Sequence, residues 1–506
     1  MRYLFTAKQA KQLDEHAIGK IGFPGTVLME KAAMLLSSVL TEYVRKEEGI
    51  LFVCGCGNNG GDAVAAARIL HQQGYRTAIL LVGETTRMSA DLELQLRLAA
   101  ACDVEAVTAE AIDSPEYSVL VDGLFGVGLN RPVEGIYKMM IEEMNRSRKK
   151  IVAIDIPSGI HGDTGKVLGT AVKAWITVTF GVNKLGLVLY PGCEYAGNVI
   201  VGDIGYPMCS YEAIENPAYY YDDTDLESCF PPRRPDGHKG TFGHVLVIGG
   251  SETMCGAAVL AGMTAYRMGA GLVKILSRED NRQTILSMIP EALFDTYDSR
   301  ENLENGLEFA DVIILGPGLG KTDKAREIVE FVLQQTQKPV ILDGDGITLS
   351  TRKQLKEVSA QWIITPHPKE FSHISEKNIS EIKDDLLTSV KSFARETGGV
   401  VVGKDARTCV SDGVSCYVNV SGNSGMATGG SGDVLAGAIG GLVAQGMPCF
   451  EAAKAAVYLH GVAGDRYKEK YGEQSLMARD LIHYLGEVHR NGDWNGRNGT
   501  GNEKNI

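Results

Sequence analysis

The sequence predicts two consecutive α/β domains, each built on a parallel sheet with crossover helices. Three observations carry this prediction. Short apolar runs alternate with helical patterns along most of the chain. The runs end at Gly, Asp or Asn, the rhythm of strands feeding crossover helices. The rhythm breaks once, across residues 207–240, and then restarts. There Pro207, Pro217 and Pro231-Pro232-Arg233-Arg234-Pro235 remove backbone donors and stop helices.

Taken in order, the N-terminal segment reads as a helix with Ala10, Leu13, Ala17 and Ile21 on one face. The strands Ile50–Val53, Ala78–Val82, Ser118–Val121, Ile151–Ile154 and Ile176–Phe180 follow. After the break come His244–Ile248, Leu272–Leu276, Val312–Leu315, Val340–Leu342, Trp362–Thr365 and Val400–Gly403. This places one domain over 1–215, a linker over 216–229, a second domain over 230–490 and a disordered Asn/Gly-rich tail over 491–506.

Composition narrows the function. A chain of 506 residues, 44% hydrophobic and 22% charged, is globular rather than disordered or collagen-like. Its 60 glycines have no fixed period and suit turns where backbone approaches a ligand. A net charge of −13 argues against a basic nucleic-acid surface. It leaves room for an anionic ligand, because helix N-termini hold phosphate without net positive charge. No apolar run approaches the ~18 residues of a membrane span. The N-terminal apolar stretch is broken at Lys8 and Lys11, unlike a signal peptide. The 10 cysteines lack zinc or redox spacing and read as free thiols of a reducing cytoplasm.

Two loops carry the chemistry. The first strand runs into Gly55-Cys56-Gly57-Asn58-Asn59-Gly60-Gly61-Asp62 and a helix. Gly55, Gly57 and Gly60 make a G-x-G-x-x-G, a weak dinucleotide signal. Two amides and a carboxylate also offer oxygens to a hard cation or to sugar hydroxyls. A plain tight turn capped by Asp62 is the bland alternative. Three other strand ends share that edge: Asp122-Gly123-Leu124-Phe125-Gly126, Asp155-Ile156-Pro157-Ser158-Gly159 and Thr179-Phe180-Gly181-Val182-Asn183-Lys184. Buried carboxylates gathered there need a partner, and a bound ion would supply one. The second loop, Asn423-Ser424-Gly425-Met426-Ala427-Thr428-Gly429-Gly430-Ser431-Gly432-Asp433, precedes an apolar helix. Stacked glycines at a helix start make an anion hole for a phosphoryl group, and Asp433 can take the proton of a substrate hydroxyl. No Walker A sequence is present in this loop.

These motifs bear a specific resemblance. Leu28-Met29-Glu30-Lys31-Ala32-Ala33, GCGNNGGD, VDGLFGVGLNRPV and DIPSGIHGDTG are similar to the YjeF N-terminal domain, the NAD(P)H-hydrate epimerase family, over 1–215. The resemblance implies a Rossmann-like three-layer sandwich. Asn58, Asn59, Gly60, Gly61, Asp62 and Gly126, Val127, Gly128, Leu129, Asn130, Arg131, Pro132 would line the hydrated dinucleotide. Asn59, Asp122 and Ser158 would hold potassium, and Asp155 would face the substrate as acid/base. Ala63 stands where the family commonly has Gly.

The Gly432-Asp433 loop resembles the ribokinase-like superfamily. With GPGLG at 316–320, LDGD at 342–345, TPHPKE at 365–370 and GKDART at 403–408, residues 230–485 look like the ADP/ATP-dependent NAD(P)H-hydrate dehydratase. The resemblance implies that Ala258, Gly318, His367 and Asp433 contact the hydrated nucleotide, with Asp433 the base. Lys404, Asp405, Ala406, Arg407, Thr408 and Gly432 would contact ADP or ATP carrying magnesium. Lys369, where the family usually has Gly, and the Gly403-Lys404-Asp405 variation depart from the pattern. The implied whole is a bifunctional isomerase and lyase of metabolite repair, cytoplasmic and homo-oligomeric, without nucleic-acid or membrane partners. A ribokinase-like small-molecule kinase fused to a nucleotide-binding module is the alternative. An oxidoreductase using Glu84 for ribose is a further one.

Overall fold

The computed structural model describes residues 1–490. They form two compact bodies: residues 2–217, and Met1 with the chain from Ala218 on. The tail expected over 491–506 lies outside the described residues. Among the described residues no helix is long and apolar enough to cross a membrane.

The first body holds a seven-stranded parallel sheet. Its spatial order is Glu105–Ala106, Thr77–Leu81, Gly49–Cys54, Tyr117–Gly123, Lys150–Ile154, Ile176–Phe180, Asn198–Gly202. Alternate residues of Gly49–Cys54 serve opposite faces, as the two-residue period of a strand requires. Ile50, Phe52 and Cys54 pack with Leu36, Val64 and Leu92 of the helices Gly25–Tyr43, Asn58–Gln72 and Ala90–Ala101. Leu51 and Val53 pack with Met140, Ile141 and Met144 of Gly135–Arg146. Both faces are therefore covered, and three layers result. The chain winds outward in both directions from the gap between Gly49–Cys54 and Tyr117–Gly123. That switch point is where open α/β sheets leave a crevice beyond the strand ends.

The N-terminal expectation needs correction. Arg2–Phe5 is a strand, paired in parallel with Asn183–Lys184. The helix starts only at Ala7, where Thr6 and Gln9 form a reciprocal cap, and it ends at Glu15. Leu13 and Ala17 are buried as expected, but Ile21 lies past the helical segments and is exposed.

The second body's sheet runs Leu293–Thr296, Leu272–Ser277, His244–Ile248, Val312–Leu315, Val340–Leu342, Trp362–Ile364, Val400–Gly403, Cys409–Ser411, Cys416–Val418, Ala218–Tyr220. Only the pairs around Cys409–Ser411 are antiparallel. Residues 218–229, expected as linker, belong to this body: Ala218–Tyr220 pairs with Cys416–Val418, and Asp223–Cys229 is a short helical segment. The reason is aromatic burial, since Tyr219 and Tyr221 pack on Tyr417, and Tyr221 also on Tyr458. The helix Ser431–Ala444 is apolar all round and fully buried from Val434 to Val443, as a central helix must be. Its glycines let it lie close on Cys255–Arg267: a Cβ at Gly437 would sit 2.3 Å from the Ala261 carbonyl oxygen.

Gly55 and Gly60 serve packing as well. A Cβ at Gly60 would lie 2.0 Å from the Gly55 carbonyl oxygen, and one at Gly55 would lie 2.1 Å from that of Leu124. Backbone cannot yield there as a side chain can. Gly60→Ala is expected to cost the first body about 3 kcal/mol, seen as an earlier denaturant transition of that body with the second body's transition unmoved.

Candidate active sites

In the first body a cavity of about 1030 Å³ opens at the switch point. Asn58, Asn59, Asp62, Asp155 and the loop Gly126–Pro132 line it, together with Asp14, Tyr137, Lys184 and Tyr206. Four of the expected strand-end groups thus meet at one edge. Gly60 and Gly61 do not reach the cavity. They are buried, and a Cβ on Gly61 would meet Met29 at 2.6 Å. Asp62 is no cap, because Gly57 holds the N-cap position of Asn58–Gln72. Gly57 is open on its Cβ side, which leaves the helix start accessible to a ligand. Ala63 is fully buried and fills the space over Gly123, where a Cβ would approach it to 2.6 Å.

Asp155 follows the strand Lys150–Ile154 and takes a left-handed φ of 66°, rare for a residue other than glycine. Its Oδ2 accepts the Val127 N–H at 2.9 Å, and its Oδ1 lies 2.8 Å from the Lys184 ammonium. Burial opposes its charge. The Lys184 ammonium and the donors from Val127 and Thr179 outweigh burial and hold this carboxyl below its usual range. Asp62 behaves oppositely: burial, then the negative charges of Asp155, Asp14 and Asp91, push it well above its ordinary value. Asp14, also raised by burial, is bonded by the Tyr206 hydroxyl. Two carboxyls in one cavity are thus shifted in opposite directions, the pattern that separates an acid from a base.

Asp122 is fully buried at the end of Tyr117–Gly123. It accepts the Ser158 N–H at 2.8 Å, the Ser158 hydroxyl at 2.6 Å and the Leu124 N–H at 3.2 Å. Burial nonetheless pushes it up to about 6. Asn59 stands close by: its carbonyl oxygen would lie 3.2 Å from a Cβ on Gly123, and its buried amide nitrogen finds no partner.

The second body carries a cavity of about 940 Å³, lined by Gly318, His367, Gly430 and Asp433 among others. Ala258 is not brought to it. That side chain is fully buried, while Gly256 and Ala257, on the exposed side of the same helix, line the cavity. His367 has two tasks, since its Nδ1 accepts the N–H groups of Lys369 and Glu370 and so caps Pro368–Ser375 while its ring stays half exposed at the cavity wall. Lys369 also lines the cavity.

Asp433 sits in the first turn of Ser431–Ala444, where N–H groups are free to face an anion. Gly430, with φ 91°, makes the turn into that helix. Burial and then the facing charge of Asp343, with Asp345 and Glu370, raise the Asp433 carboxyl to about 7 against the pull of Lys404. Lys404 Nζ bonds Asp343 Oδ1 at 3.0 Å, and a Cβ on Gly432 would be 3.2 Å from that ammonium. His460, beneath Ser431, is driven down to about 4 by burial and by Lys404. Asp405 and Ala406 are exposed on the loop from Val400–Gly403 to Cys409–Ser411, and Arg407 bonds the Val420 carbonyl at 2.7 Å. Thr408 is partly buried, and its carbonyl accepts the Asn419 N–H at 2.8 Å.

Sequence reasoning gave no role to Lys184, Tyr206, Asp343 or Glu370. Lys184 and Asp343 each stood in a quoted strand-end motif, and that position was the available signal. Glu370 stood likewise in the quoted TPHPKE motif, and Tyr206 had no signal beyond proximity to Pro207.

Comparison with known proteins gives concordant findings. The family model described as YjeF-related protein N-terminus matches residues 25–186, and the one described as NAD(P)H-hydrate dehydratase matches 245–486. The bifunctional NAD(P)H-hydrate repair enzyme Nnr of Thermofilum pendens is 36% identical over 498 residues, covering 94% of each chain. That of Coxiella burnetii is 34% identical, covering 96% of this chain and 99% of its own. The crystal structure of ADP/ATP-dependent NAD(P)H-hydrate dehydratase from Bacillus subtilis, co-crystallised with ATP/Mg2+, is 29% identical with a TM-score of 0.50. It covers 54% of this chain and 98% of its own.

Proposed function

This chain belongs to the bifunctional NAD(P)H-hydrate repair enzymes, an epimerase domain followed by an ADP/ATP-dependent dehydratase domain, and from that premise we propose how its own residues divide the work. The first cavity takes the hydrated dinucleotide, with the start of helix Asn58–Gln72 and the loop Gly126–Pro132 along it. Water added to the nicotinamide ring leaves a hydroxyl on a carbon next to the ring nitrogen. Loss of that hydroxyl as water needs a proton, and return of water on the other face needs a proton acceptor. Asp155, ionised beside Lys184, is the acceptor.

In the second cavity Asp433 takes the proton of the S-epimer's hydroxyl as that oxygen attacks the terminal phosphoryl group of ADP or ATP. Hydroxide is a poor leaving group and phosphate a good one, so the ring nitrogen then expels phosphate, and loss of a proton from the adjacent ring carbon returns the reduced coenzyme. The helix start at Ser431 and Gly432 receives the transferring phosphoryl group, with Lys404 beside it. Magnesium carried on the nucleotide supplies charge neutralisation. The loop Asp405–Thr408 holds the adenine nucleotide.

The donors at Asn59, Asp122 and Ser158 fit an alkali cation. They are amide, carboxylate and hydroxyl oxygens, the hard set such ions take. Potassium there would offset the Asp122 charge and order the loops that follow both strands. All ten cysteines are free thiols, consistent with a reducing cytoplasm. A homo-oligomer is part of this reading.

The observation that carries the reading is one carboxylate on the wall of each cavity, Asp155 held by Lys184 in the first and Asp433 in the first turn of Ser431–Ala444 in the second. The test uses a mixed R and S preparation of hydrated NADH with magnesium, potassium and ADP or ATP. Complete return of reduced-nicotinamide absorbance is expected. Recovery that stalls once the S form is consumed would remove the epimerase half, and no recovery with either nucleotide would favour a kinase of another substrate.

A further inference from the structure

The ammonium of Lys184 lies within the first body with only 3% of its side chain exposed. It makes three hydrogen bonds: to Asp155 Oδ1 at 2.8 Å, Thr179 Oγ1 at 2.7 Å and the Phe180 carbonyl at 2.9 Å. An ammonium has three donors, so all are spent on the protein. Lys184 therefore cannot donate a proton to a substrate without breaking one of these bonds. It can hold a neighbour in place. The neighbour is Asp155, whose left-handed backbone conformation needs surroundings that fix it. Lys184 is itself held, because Asn183–Lys184 forms a short parallel strand with Leu4–Phe5 and its own N–H bonds Asn183 Oδ1 at 2.8 Å.

From this geometry we infer that Lys184 is the positioning residue of epimerisation, anchoring the Oδ1 end of Asp155 so that the carboxylate meets the substrate in one orientation. The inference rests on the epimerase reading given above and assigns a residue to it. It also explains why a cavity bordered by Asp14 and Asp62 can keep a third carboxylate charged. Of the charged and titratable groups facing Asp155, which are Lys184, Asp14, Asp62 and Tyr206, only Lys184 favours its ionised form. Removing that one cation leaves burial unopposed by charge.

The experiment uses the full chain and the R epimer of hydrated NADH, with nucleotide omitted so that only interconversion is read. Lys184→Met is expected to lower kcat about 100-fold with KM little changed. It should also give kcat/KM an acid limb at higher pH than in the unaltered chain, because Asp155 then protonates more readily. Lys184→Arg keeps the charge and should keep the original pH profile with part of the rate. Dehydration of the S epimer by the same variants reports on the second body, and an unchanged KM reports that the first cavity is intact. Lys184→Met within about threefold of the unaltered kcat would overturn the inference. So would identical pH profiles for the Met and Arg variants, the mark of a merely structural pair. An unaltered chain that fails to interconvert the epimers would remove the epimerase reading itself; an active one with an unmoved Lys184→Met removes only the role of Lys184.

Discussion

Asp433→Asn is expected to lower dehydration of the S epimer by about 1000-fold while leaving epimerisation at its original rate. The amide keeps the shape of the site and removes only the capacity to take a proton. The carboxyl's position makes this the largest single effect in the second body. It stands in the first turn of a buried helix, facing the cavity, next to a lysine already engaged by Asp343. A second readout follows from its protonation. Burial and three neighbouring acids push Asp433 up to about 7, so the acid form prevails below that pH and the base form above it. The kcat/KM of dehydration in the free enzyme should therefore rise as pH rises through about 7, and the residual rate of Asp433→Asn should lack that limb. Retention of most of the dehydration rate in the variant would assign the base role elsewhere, with Glu370 the next carboxyl on the same wall.

Asp155→Asn should have the complementary effect. Epimerisation should fall by at least about 100-fold. Recovery from a mixed preparation should then stop at the S fraction, with the S form itself consumed at the original rate. This substitution also strands a buried cation, since Lys184 loses the one counter-charge it has within hydrogen-bond reach among the described residues. Breaking a buried pair by removing one partner costs about 3–5 kcal/mol. The single variant is therefore expected to be less stable as well as inactive. The double variant Asp155→Asn with Lys184→Met separates the two effects. It should regain stability in denaturant titration, because no unpaired charge remains, and stay inactive in epimerisation. A double variant that regained activity would exclude Asp155 from the chemistry. The sign of the pH effect on stability is fixed too. A carboxyl held below its ordinary range contributes stability that is present above the unfolded value and lost as pH falls through the folded one.

Much of this protein was legible in the residues alone. Strands such as His244–Ile248 and Val312–Leu315 are short apolar runs that can only be buried on both faces, so composition and period suffice to find them. The loops at Gly55–Asp62 and Asn423–Asp433 announce themselves by a dense order of glycines, amides and a carboxylate at a helix start. Three things required the tertiary structure. Short strands such as Ala218–Tyr220 and Arg2–Phe5 exist because a distant partner, Cys416–Val418 or Asn183–Lys184, offers a ladder, and no local pattern encodes it. Which of two neighbouring small residues lines the cavity, Ala257 rather than Ala258, depends on the rotation of a helix against its sheet. The protonation of the carboxylates was also hidden, because Asp155, Asp62, Asp122 and Asp433 are one residue type in sequence. They became different acids only when folding set a lysine against the first, burial and like charge around the second and fourth, and burial with serine donors around the third.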